Sequence, residues 1–581
     1  MRFPRLQGPL RLAAAIGSLL LVWMLVRGPV FTLISGGVTL SGSTPEVVQD
    51  SRLVRHANPE AVLEIVVGLK LHDEDQLDSL IQKQQDPTAP EYLQFLSADD
   101  FNKRFAPSTT DAEEVRRYLA AQGIQILSIA PNRLLIHAQG RVNQLEKTFN
   151  VQINEYQVQG VNGAQTYYSN DRDPTIPLHL KNVVQSVLGL DTYSQFESRL
   201  VHPDSAVTSA AAPRPHRRGA NQDPLTPQDV ASAYNFPNAN NKHASQKLSG
   251  KGVKVAIATA YGYDPKDIEA YWTQHNIKRG GRLIDKPVNG STKKLEEETT
   301  LDLEILSSQV PDADVLMYIG HDPSFVTFAL TFNQVVVDNE ASVMTVSWGL
   351  CEKRSGWLVM QTEHAIFKQA VAQGIALFVS AGDDGAYDCP SKQPSFGVDF
   401  PSSDPQFTAV GGTSLEVRNG ARTSEWAWSG TGGGVSSNWT RPAWQVGTSL
   451  PVGDMRLSSD VAMDADPYTG YSFYFQGNWG RIGGTSASTP AFGSLWVLAV
   501  ESAGKRVGSA NPFVYRIGND LDYGKVFYDV TKGNNGAGRG PGFNAGAGWD
   551  HPTGWGAPDG TAVVDYVTKN SVNQAAKAVK K

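Results

Sequence analysis

Apolar residues in the C-terminal two thirds of the chain form short strand-like runs that alternate with helical segments. The runs occupy residues 253–258, 315–318, 343–347 and 376–379, and residues 357–373 have a helical pattern. Strands that alternate with helices pack as a parallel sheet with helices on both faces. The pattern therefore predicts an α/β domain in this part of the chain.

The preceding part of the chain has a different pattern. Between about residues 45 and 198, strand-like runs such as 134–136 and 183–188 are mixed with helical stretches such as 111–122. This mixture predicts a separate, smaller α+β domain. Residues 201–224 are rich in Ala, Pro, Ser and Arg and lack apolar periodicity, which is typical of an exposed linker. We expect proteolytic processing to fall in that linker.

The N-terminus has the pattern of an export signal. Arg2, Arg5 and Arg11 precede an uncharged, mostly apolar run at residues 12–26. That run is short for a membrane-spanning helix, which needs about 20 apolar residues, although residues 28–34 could extend it. Export is therefore predicted, while cleavage of the segment and its retention as a membrane anchor both stay open.

One motif suggests a catalytic serine. Gly-Gly-Thr-Ser-Ala-Ser-Thr-Pro at residues 483–490 leads into an apolar run and presents Ser486 at the start of a predicted helix. A turn followed by a helix cap gives the same pattern, so the motif alone does not establish catalysis. Gly-Gly-Thr-Ser recurs at residues 411–414 between strand-like runs, and there Ser414 is interpreted as structural.

A serine nucleophile needs an adjacent base, which is usually histidine. None of the eleven histidines is followed by glycine, so the His-Gly-Thr signature of a subtilisin relative is absent. Glu298 and Asp302 are instead four residues apart in a helical pattern and share one helix face. If buried, such a pair shares one proton because adjacent charges repel; if exposed, it is an ordinary acidic surface.

A third carboxylate follows a strand-like run. Asp383 lies in a glycine-rich turn directly after residues 378–380. The carboxyl ends of parallel strands are where α/β sheets place their sites. Asp383 could simply form the turn, or, when protonated, could donate a hydrogen bond to an oxyanion.

Taken in order, these motifs resemble those of a known family. Glu298-x-x-x-Asp302, Ser-Ala-Gly-Asp at 380–383 and Gly-Thr-Ser-Ala at 484–487 are similar to the sedolisin family of serine-carboxyl peptidases, including its kumamolisin-like members with an activation pro-domain. The resemblance covers about residues 45–565. It implies a subtilisin-like parallel sheet flanked by helices, preceded by a ferredoxin-like α+β pro-domain that inhibits the enzyme in the same chain.

The resemblance also implies a role for each carboxylate. Ser486 is expected to be the nucleophile, Glu298 its general base and acid, Asp302 the carboxylate that orients Glu298, and Asp383 the acid that stabilises the oxyanion. Such a site predicts an optimum below neutral pH, because Glu298 is a useful base near its pKa and Asp383 must keep its proton. Some relatives carry a further glutamate where this chain has Thr259, so the base could be tuned differently here.

A calcium site is a further implication of the resemblance. The family pattern places its ligands in the glycine-rich C-terminal region, and two carboxylates with backbone carbonyls form the oxygen shell that Ca²⁺ prefers. One structural ion is expected, and a glycine-rich surface loop with two turn aspartates is the alternative. The expected ligands are the side chains of Asp529 and Asp550 and the carbonyls of Val530, Gly546 and Gly548.

Composition and charge are consistent with an exported enzyme. The net charge of −7 and the lack of a dominant basic cluster argue against nucleic acid as a partner. Protein or peptide substrates are expected, no organic cofactor is predicted, and a membrane is involved only if the N-terminal segment is retained. Cys351 and Cys389 could form a disulfide in an exported chain or remain two buried thiols.

The predicted organisation of the chain follows from these patterns. A secreted, extracellular location is expected, with the periplasm or a membrane anchor as alternatives. Two other functions stay open, namely a neutral subtilisin-type protease and a catalytically silent peptide-binding protein. Within the resembled family, an endopeptidase and a tripeptidyl-peptidase, which removes tripeptides from a free N-terminus, both stay open. The predicted segments are 1–41 signal peptide or anchor, 42–198 pro-domain, 199–224 processing linker, 225–568 catalytic domain and 569–581 tail.

Overall fold

The computed structural model describes residues 36–160, 163–203, 223–290, 292–389 and 395–578. The apolar run of the predicted signal segment and most of the predicted linker lie outside these residues. Within the described ranges, no helix combines the length and apolar character that crossing a membrane requires.

A parallel sheet forms the centre of the C-terminal domain and confirms the predicted α/β class. The four strand-like runs predicted from the sequence are strands whose bounds differ from the prediction by at most one residue. Among the described residues, six neighbouring strands run parallel and an antiparallel strand ends the row. Their order is Leu283–Pro287, Asp314–Ile319, Lys254–Thr259, Val343–Val346, Ala376–Ser380, Thr408–Arg418 and Ala421–Ala427, and Val461–Asp464 pairs in parallel with Thr408–Arg418.

Helices cover both faces of this sheet because its strands are apolar on both sides. Val255 and Ile257 point into a core shared with the helices Glu297–Gln309, Thr485–Ala503 and Gly560–Ala578. Ala256 and Ala258 point into the opposite core, which includes the helices Phe325–Asp338 and Trp357–Ala372. The shorter helices are Pro227–Ala233, Pro265–Gln274, Glu352–Ser355, Asn511–Gly518 and Tyr523–Val526.

Short strand pairs surround the central sheet. Trp348–Cys351 pairs with Asp399–Phe400, and a disulfide joins Cys351 to Cys389, which decides the question of the two cysteines. The remaining pairs are Gly434–Thr440 with Met455–Ser458, Tyr471–Phe475 with Asn478–Ile482, and Phe527–Tyr528 with Ala557–Pro558.

The pro-domain has the predicted α+β character and a ferredoxin-like strand order. Numbered along the chain, its four main strands lie in the order 2-3-1-4 and all pair antiparallel, with helices between them. These strands are Val62–Leu69, Gln125–Ile129, Leu135–Arg141 and Val184–Leu188. The helices are Glu74–Gln85, Ala98–Arg104, Thr109–Ala121 and Val142–Phe149, with 3₁₀ turns at Glu46–Asp50 and Leu178–Leu180. A second sheet contains Arg52–His56, Ile153–Gly160 and Gly163–Asn170, and Gly37–Thr39 pairs with Thr175–Pro177.

The pro-domain docks on the helix Trp357–Ala372 through polar contacts. Lys368 Nζ lies 2.8 Å from Glu74 Oε1 and 2.7 Å from Asp78 Oδ1. The hydroxyl groups of Ser186 and Thr362 lie 2.6 Å apart. The pro-domain and the catalytic domain are thus joined by specific side-chain contacts.

The structure differs from the predicted segment boundaries at three points. The strand Gly37–Thr39 extends the pro-domain fold into the predicted signal segment, because its backbone pairs with Thr175–Pro177. Residues 199–203 are not an exposed linker, since Arg199 is buried and Val201 bridges to Gly483. The helix Gly560–Ala578 continues across the predicted start of the C-terminal tail.

Candidate active site

Ser486 is the second residue of the helix Thr485–Ala503, so the predicted helix start is confirmed. Its side chain is fully buried, and Oγ donates to Glu298 Oε2 at 2.9 Å. Gly484 precedes the helix with φ 99°, a conformation that favours glycine. A Cβ there would lie 2.2 Å from the Arg199 carbonyl oxygen and 2.8 Å from Asp383 Oδ2, so glycine also provides space at this point.

Glu298 and Asp302 lie on one face of the helix Glu297–Gln309 and point inward. Both are fully buried, so the alternative of an exposed acidic surface is wrong. Ser347 Oγ donates to Asp302 Oδ1 at 2.6 Å, whereas Glu298 Oε1 and Asp302 Oδ2 have no hydrogen-bond partner among the described residues. Two ionised carboxylates have no hydrogen-bond donor. If Glu298 and Asp302 share one proton, the protonated carboxyl group can donate a hydrogen bond.

Burial controls the protonation of this pair. Burial raises the pKa of Glu298 far above its usual range, and the charge of Asp302 raises it further. Burial also raises the pKa of Asp302 to about 8, although the hydrogen bond from Ser347 opposes that rise. The two carboxyl groups therefore hold a proton over a wide pH range.

Asp383 follows the strand Ala376–Ser380 and faces the start of the Ser486 helix. Its Oδ1 accepts hydrogen bonds of 2.8 Å from both the backbone N and the Oγ1 of Thr485, while Oδ2 has no donor among the described residues. Burial raises the pKa of Asp383 to about 7, and the two bonds from Thr485 oppose the rise. A protonated Oδ2 could donate into the space that it shares with the Arg199 carbonyl oxygen.

Three neighbouring strands of the central sheet end at this site. Thr259 closes the strand Lys254–Thr259, and its hydroxyl contacts Thr299 Oγ1 at 2.7 Å and accepts from Trp348 Nε1 at 3.2 Å. Some relatives are expected to carry a glutamate at this position. Here the uncharged Thr259 occupies it and forms hydrogen bonds with uncharged neighbours. The acidic pair here has no third carboxylate at Thr259.

No histidine contacts Ser486 within the described residues. His275 lies 3.1 Å from Ser472 Oγ, and His364 pairs with Asp404 at 2.8 Å. Ser414 lies inside the strand Thr408–Arg418 and donates to Asp466 Oδ2 at 2.6 Å, as expected of a structural serine. Glu298 is the only titratable side chain that the described contacts place on Ser486 Oγ.

Residues 197–201, which we call the bound segment, pass directly over Ser486. Glu197–Ser198 pairs antiparallel with Trp348 and Gly349, and Arg199 N donates to Ser347 O at 3.2 Å. Ser486 N donates to the Arg199 carbonyl oxygen at 3.0 Å. On the other side of this carbonyl, Val201 and Gly483 exchange backbone hydrogen bonds of 3.1 and 3.0 Å.

This arrangement is that of an extended peptide held on both sides of the Arg199–Leu200 bond. The Arg199 carbonyl has a backbone donor at Ser486, and Ser198 Oγ donates to Glu298 Oε2. Neither Arg199 nor Ser347 was predicted from the sequence to belong to the site. Arg199 had no signal because it lay in a segment without periodicity, whereas Ser347 belonged to a strand-like run but had no assigned role.

The predicted calcium ligands lie together in the C-terminal loops. Gly548 N donates to Asp529 Oδ2 at 3.0 Å, and Gly546 N donates to Asp550 Oδ2 at 2.9 Å. The carbonyl oxygens of Val530, Gly546 and Gly548 accept no hydrogen bond from other described residues. Two carboxylates beside unpaired carbonyls fit a hard cation such as Ca²⁺.

Comparisons with known proteins agree on both parts of the chain. Residues 49–193 match the family model "Pro-kumamolisin, activation domain", and residues 225–509 match the subtilase family model. The chain is 32% identical to sedolisin of Pseudomonas sp. (strain 101) over 83% of each chain. It is 28% identical to kumamolisin of Bacillus sp. (strain MN-32), over 81% of this chain and 85% of the relative.

A solved structure is similar to the catalytic part. It is Pseudomonas sedolisin, a serine-carboxyl proteinase, complexed with two molecules of pseudo-iodotyrostatin. The match has a TM-score of 0.53 at 29% identity, covering 60% of this chain and 99% of that one. The C-terminal domain of this chain thus has the sedolisin fold, with the pro-domain as an additional part.

Proposed function

This chain belongs to the sedolisin family of serine-carboxyl peptidases and carries an activation pro-domain, and on that premise we propose that it is an exported, acid-active endopeptidase made as a zymogen. Ser486 is the nucleophile in this proposal and Glu298 is its base. The observation that carries the assignment is the 2.9 Å hydrogen bond from Ser486 Oγ to Glu298 Oε2 in a fully buried site.

The proposed reaction proceeds through an acyl-enzyme. Ser486 Oγ attacks the carbonyl carbon of the substrate, and Glu298 takes the hydroxyl proton. Glu298 then gives this proton to the leaving amine as the C–N bond breaks, which leaves an ester on Ser486. Water attacks the ester with Glu298 again as base, so that the carboxyl product leaves and the Ser486 hydroxyl is restored.

Two groups are proposed to stabilise the oxyanion of each tetrahedral intermediate. Ser486 N already donates to the Arg199 carbonyl oxygen, and the protonated Oδ2 of Asp383 would be the second donor. Asp302 is proposed to keep Glu298 in place and to share its proton. Because the pKa of Asp383 is about 7, its carboxyl group loses the proton that it would donate as the pH rises through that value. We therefore expect the enzyme to be active in acid and inactive above neutral pH.

The bound segment supports an internal mode of cleavage. A tripeptidyl-peptidase needs a groove that ends three residues before the cleaved bond. The groove is the surface of the catalytic domain that the bound segment occupies. The residues that precede Glu197 also contact this surface: Phe196 N donates to Pro323 O at 2.9 Å, and Gln195 bridges to Ser324. The groove therefore accommodates more than three residues before the Arg199–Leu200 bond, as an endopeptidase requires.

Autoinhibition and export complete the proposal. The bound segment occupies the groove in the intact chain, so the pro-domain acts as an intramolecular inhibitor until a bond is cut. Secretion to the extracellular space is proposed from the arginine-flanked apolar run near the N-terminus. Confinement of activity to acid would keep the enzyme inactive during export.

We further propose that one Ca²⁺ stabilises the C-terminal loops. Its ligands would be the Asp529 and Asp550 carboxylates with the carbonyls of Val530, Gly546 and Gly548. The ion would neutralise two neighbouring carboxylates in a glycine-rich loop. The chain's own residues, and not the ion, supply the catalytic groups.

The test compares hydrolysis of a denatured protein by the wild type, Glu298→Gln and Ser486→Ala between about pH 3 and about pH 9. Chain length is followed during acidification. We expect wild-type activity only in acid, together with loss of the pro-domain, and a decrease of at least about 10⁴-fold in each variant. Ser414→Ala is the matched control, because it alters the same Gly-Gly-Thr-Ser motif away from the site and should behave as wild type.

Other outcomes would favour the other two functions. Activity that peaks near neutral pH and survives Glu298→Gln would point to a neutral subtilisin-type protease. Absence of hydrolysis at every pH, with intact folding, would favour a catalytically silent peptide-binding protein.

A further inference from the structure

The side chain of Arg199 fills a closed pocket beside the bond that lies over Ser486. Only 6% of this side chain is exposed, and its Nε lies 2.6 Å from Asp399 Oδ2. Its Nη2 donates to the carbonyl oxygen of Gly349 at 3.3 Å. Asp399 itself is fully buried in the strand Asp399–Phe400. The pocket thus holds a buried guanidinium against a buried carboxylate.

A second carboxyl group, that of Asp388, interacts electrostatically with Arg199 and Asp399, and the disulfide lies next to Asp399 because Cys351 pairs with it. Asp388 is buried and accepts from Asp384 N at 3.0 Å through Oδ1. The disulfide ties Cys389, its neighbour in sequence, to Cys351 at the end of the strand that pairs with Asp399–Phe400. The walls of the pocket are therefore held together covalently.

The two carboxyl groups of the pocket carry one charge. Burial raises the pKa of Asp388, and the charge of Asp399 raises it further, so we assign the proton to Asp388. Burial also raises the pKa of Asp399, but the Arg199 guanidinium, whose Nε lies 2.6 Å from Oδ2, opposes that rise and keeps the charge of the two carboxyl groups on Asp399. Burial by itself would lower the pKa of Arg199, yet Asp399 and Glu197 raise it instead, so Arg199 stays charged.

A pocket of this kind selects among substrate side chains by their charge. A buried ion is strongly unfavourable without its partner, and removal of one member of a buried pair leaves the other uncompensated. A neutral side chain in the pocket would leave Asp399 buried without a counter-charge, and an acidic one would place like charges together. A lysine would supply the charge, but its single ammonium group could not both lie against Asp399 and donate to the Gly349 carbonyl oxygen as the guanidinium does.

We propose that this pocket is the subsite for the residue before the cleaved bond and that it selects arginine, so that the enzyme cuts its substrates, and its own Arg199–Leu200 bond, after arginine. The inference rests on the proposed peptidase function and adds the substrate class. It also assigns the first self-cleavage to the Arg199–Leu200 bond, at the start of the predicted processing linker 199–224.

A weaker preference is expected two residues earlier. Glu197 Oε1 lies 2.9 Å from Arg354 Nη1, but 46% of the Glu197 side chain is exposed. Exposed ion pairs contribute little because water screens them, so we expect an acidic residue there to improve cleavage only by about a fewfold.

The experiment uses full-length protein activated in acid and internally quenched peptides based on the bound segment. The reference peptide is Glu-Ser-Arg-Leu-Val-His, the sequence of residues 197–202. In its partners the arginine is replaced by citrulline, a neutral group of nearly the same shape, by lysine or by glutamate. We expect kcat/KM for the arginine peptide to exceed that for the citrulline peptide by at least about 100-fold.

The Asp399→Asn variant tests the origin of the preference. It should lose most of its activity on the arginine peptide and cleave the citrulline peptide faster than the wild type does, because asparagine removes the uncompensated charge; this gain also shows that the variant is folded. In the intact chain, the first new N-terminus should be Leu200. If Asp399→Asn does not fold, the wild-type comparison of arginine with citrulline still decides the question.

The outcomes separate this inference from the proposed function. Equal cleavage of the arginine and citrulline peptides, by a wild type that digests denatured protein, would overturn arginine selection and leave the peptidase function intact. An arginine preference unchanged in Asp399→Asn would overturn the role of Asp399. A wild type that hydrolyses neither peptides nor protein at any pH would overturn both.

Discussion

Asp383→Asn should make stability less sensitive to pH, by an amount that follows from the burial of this carboxyl group. Its pKa is about 7 in the folded protein against an ordinary value of 3.8. A raised pKa means that the folded state holds a proton that the unfolded chain releases. The stability from this proton is fully present below about pH 4 and is lost as the pH rises towards about 7.

The size of the effect comes from the same pKa values. Each pKa unit corresponds to about 1.4 kcal/mol, so a rise from 3.8 to about 7 corresponds to about 4 kcal/mol. Asparagine resembles the protonated acid, since its oxygen can accept from Thr485 and its amide can donate where Oδ2 lies. The free energy of unfolding of Asp383→Asn, minus that of the parent, should therefore increase by about 4 kcal/mol between about pH 3 and about pH 8.

The assay is urea unfolding followed by tryptophan fluorescence at several pH values in that range. Both proteins carry Ser486→Ala, so that neither cuts itself and the bound segment stays in place. Asp285→Asn is a matched control, because this carboxylate accepts from the Tyr263 hydroxyl at 2.9 Å on the exposed surface, away from Ser486. If the free-energy difference between Asp383→Asn and its parent were the same at every pH, Asp383 would not hold a proton in the folded state.

Two further predictions concern the C-terminal loops and the disulfide. Removal of Ca²⁺ by a chelator should lower the Tm of the wild type measured by calorimetry, whereas Asp529→Asn should have a lowered Tm that no longer responds to the chelator; a wild type that does not respond to the chelator would argue against the ion. Replacing Cys351 and Cys389 together by serine should lower the free energy of unfolding by about 4 kcal/mol, because the bond closes a loop with a sequence separation of 38, and unchanged urea midpoints would contradict this.

Much of the fold could be predicted because its strands are apolar on both faces. The runs that became Lys254–Thr259 and Val343–Val346 are apolar almost throughout, which is typical of strands covered by helices on both sides. The segment boundaries were less predictable. The strand Gly37–Thr39 is stabilised by pairing with a distant segment, and a local pattern contains no information on such pairing.

The candidate site could be predicted only in part, for a related reason. Glu298, Asp302, Asp383 and Ser486 occur in short motifs. In the structure Ser486 contacts Glu298, Asp302 contacts Ser347, and Asp383 contacts Thr485, the neighbour of Ser486. Asp399 and Arg199 occur in no motif, and their ion pair joins residues 200 positions apart in a pocket that only the folded chain forms. Whether Glu298 and Asp302 are exposed or buried was likewise undecidable from the spacing, because helix geometry fixes their common face but not what covers it.

The arrangement around the Arg199 carbonyl suggests how a peptide can be both an inhibitor and a substrate. The Ser486 amide already donates to this carbonyl oxygen, and Asp383 Oδ2 lies near it, since both oxygens are within 2.8 Å of the point where a Cβ of Gly484 would lie. When Asp383 is ionised, two hydrogen-bond acceptors face each other, and the charge that develops on the carbonyl oxygen during attack would be repelled. Protonation of Asp383 turns the repelling acceptor into a donor without moving the bound segment. On this view the groove holds the Arg199–Leu200 bond in place at neutral pH without cleaving it. In acid, Asp383 takes up a proton, and Ser486 can then attack the Arg199 carbonyl.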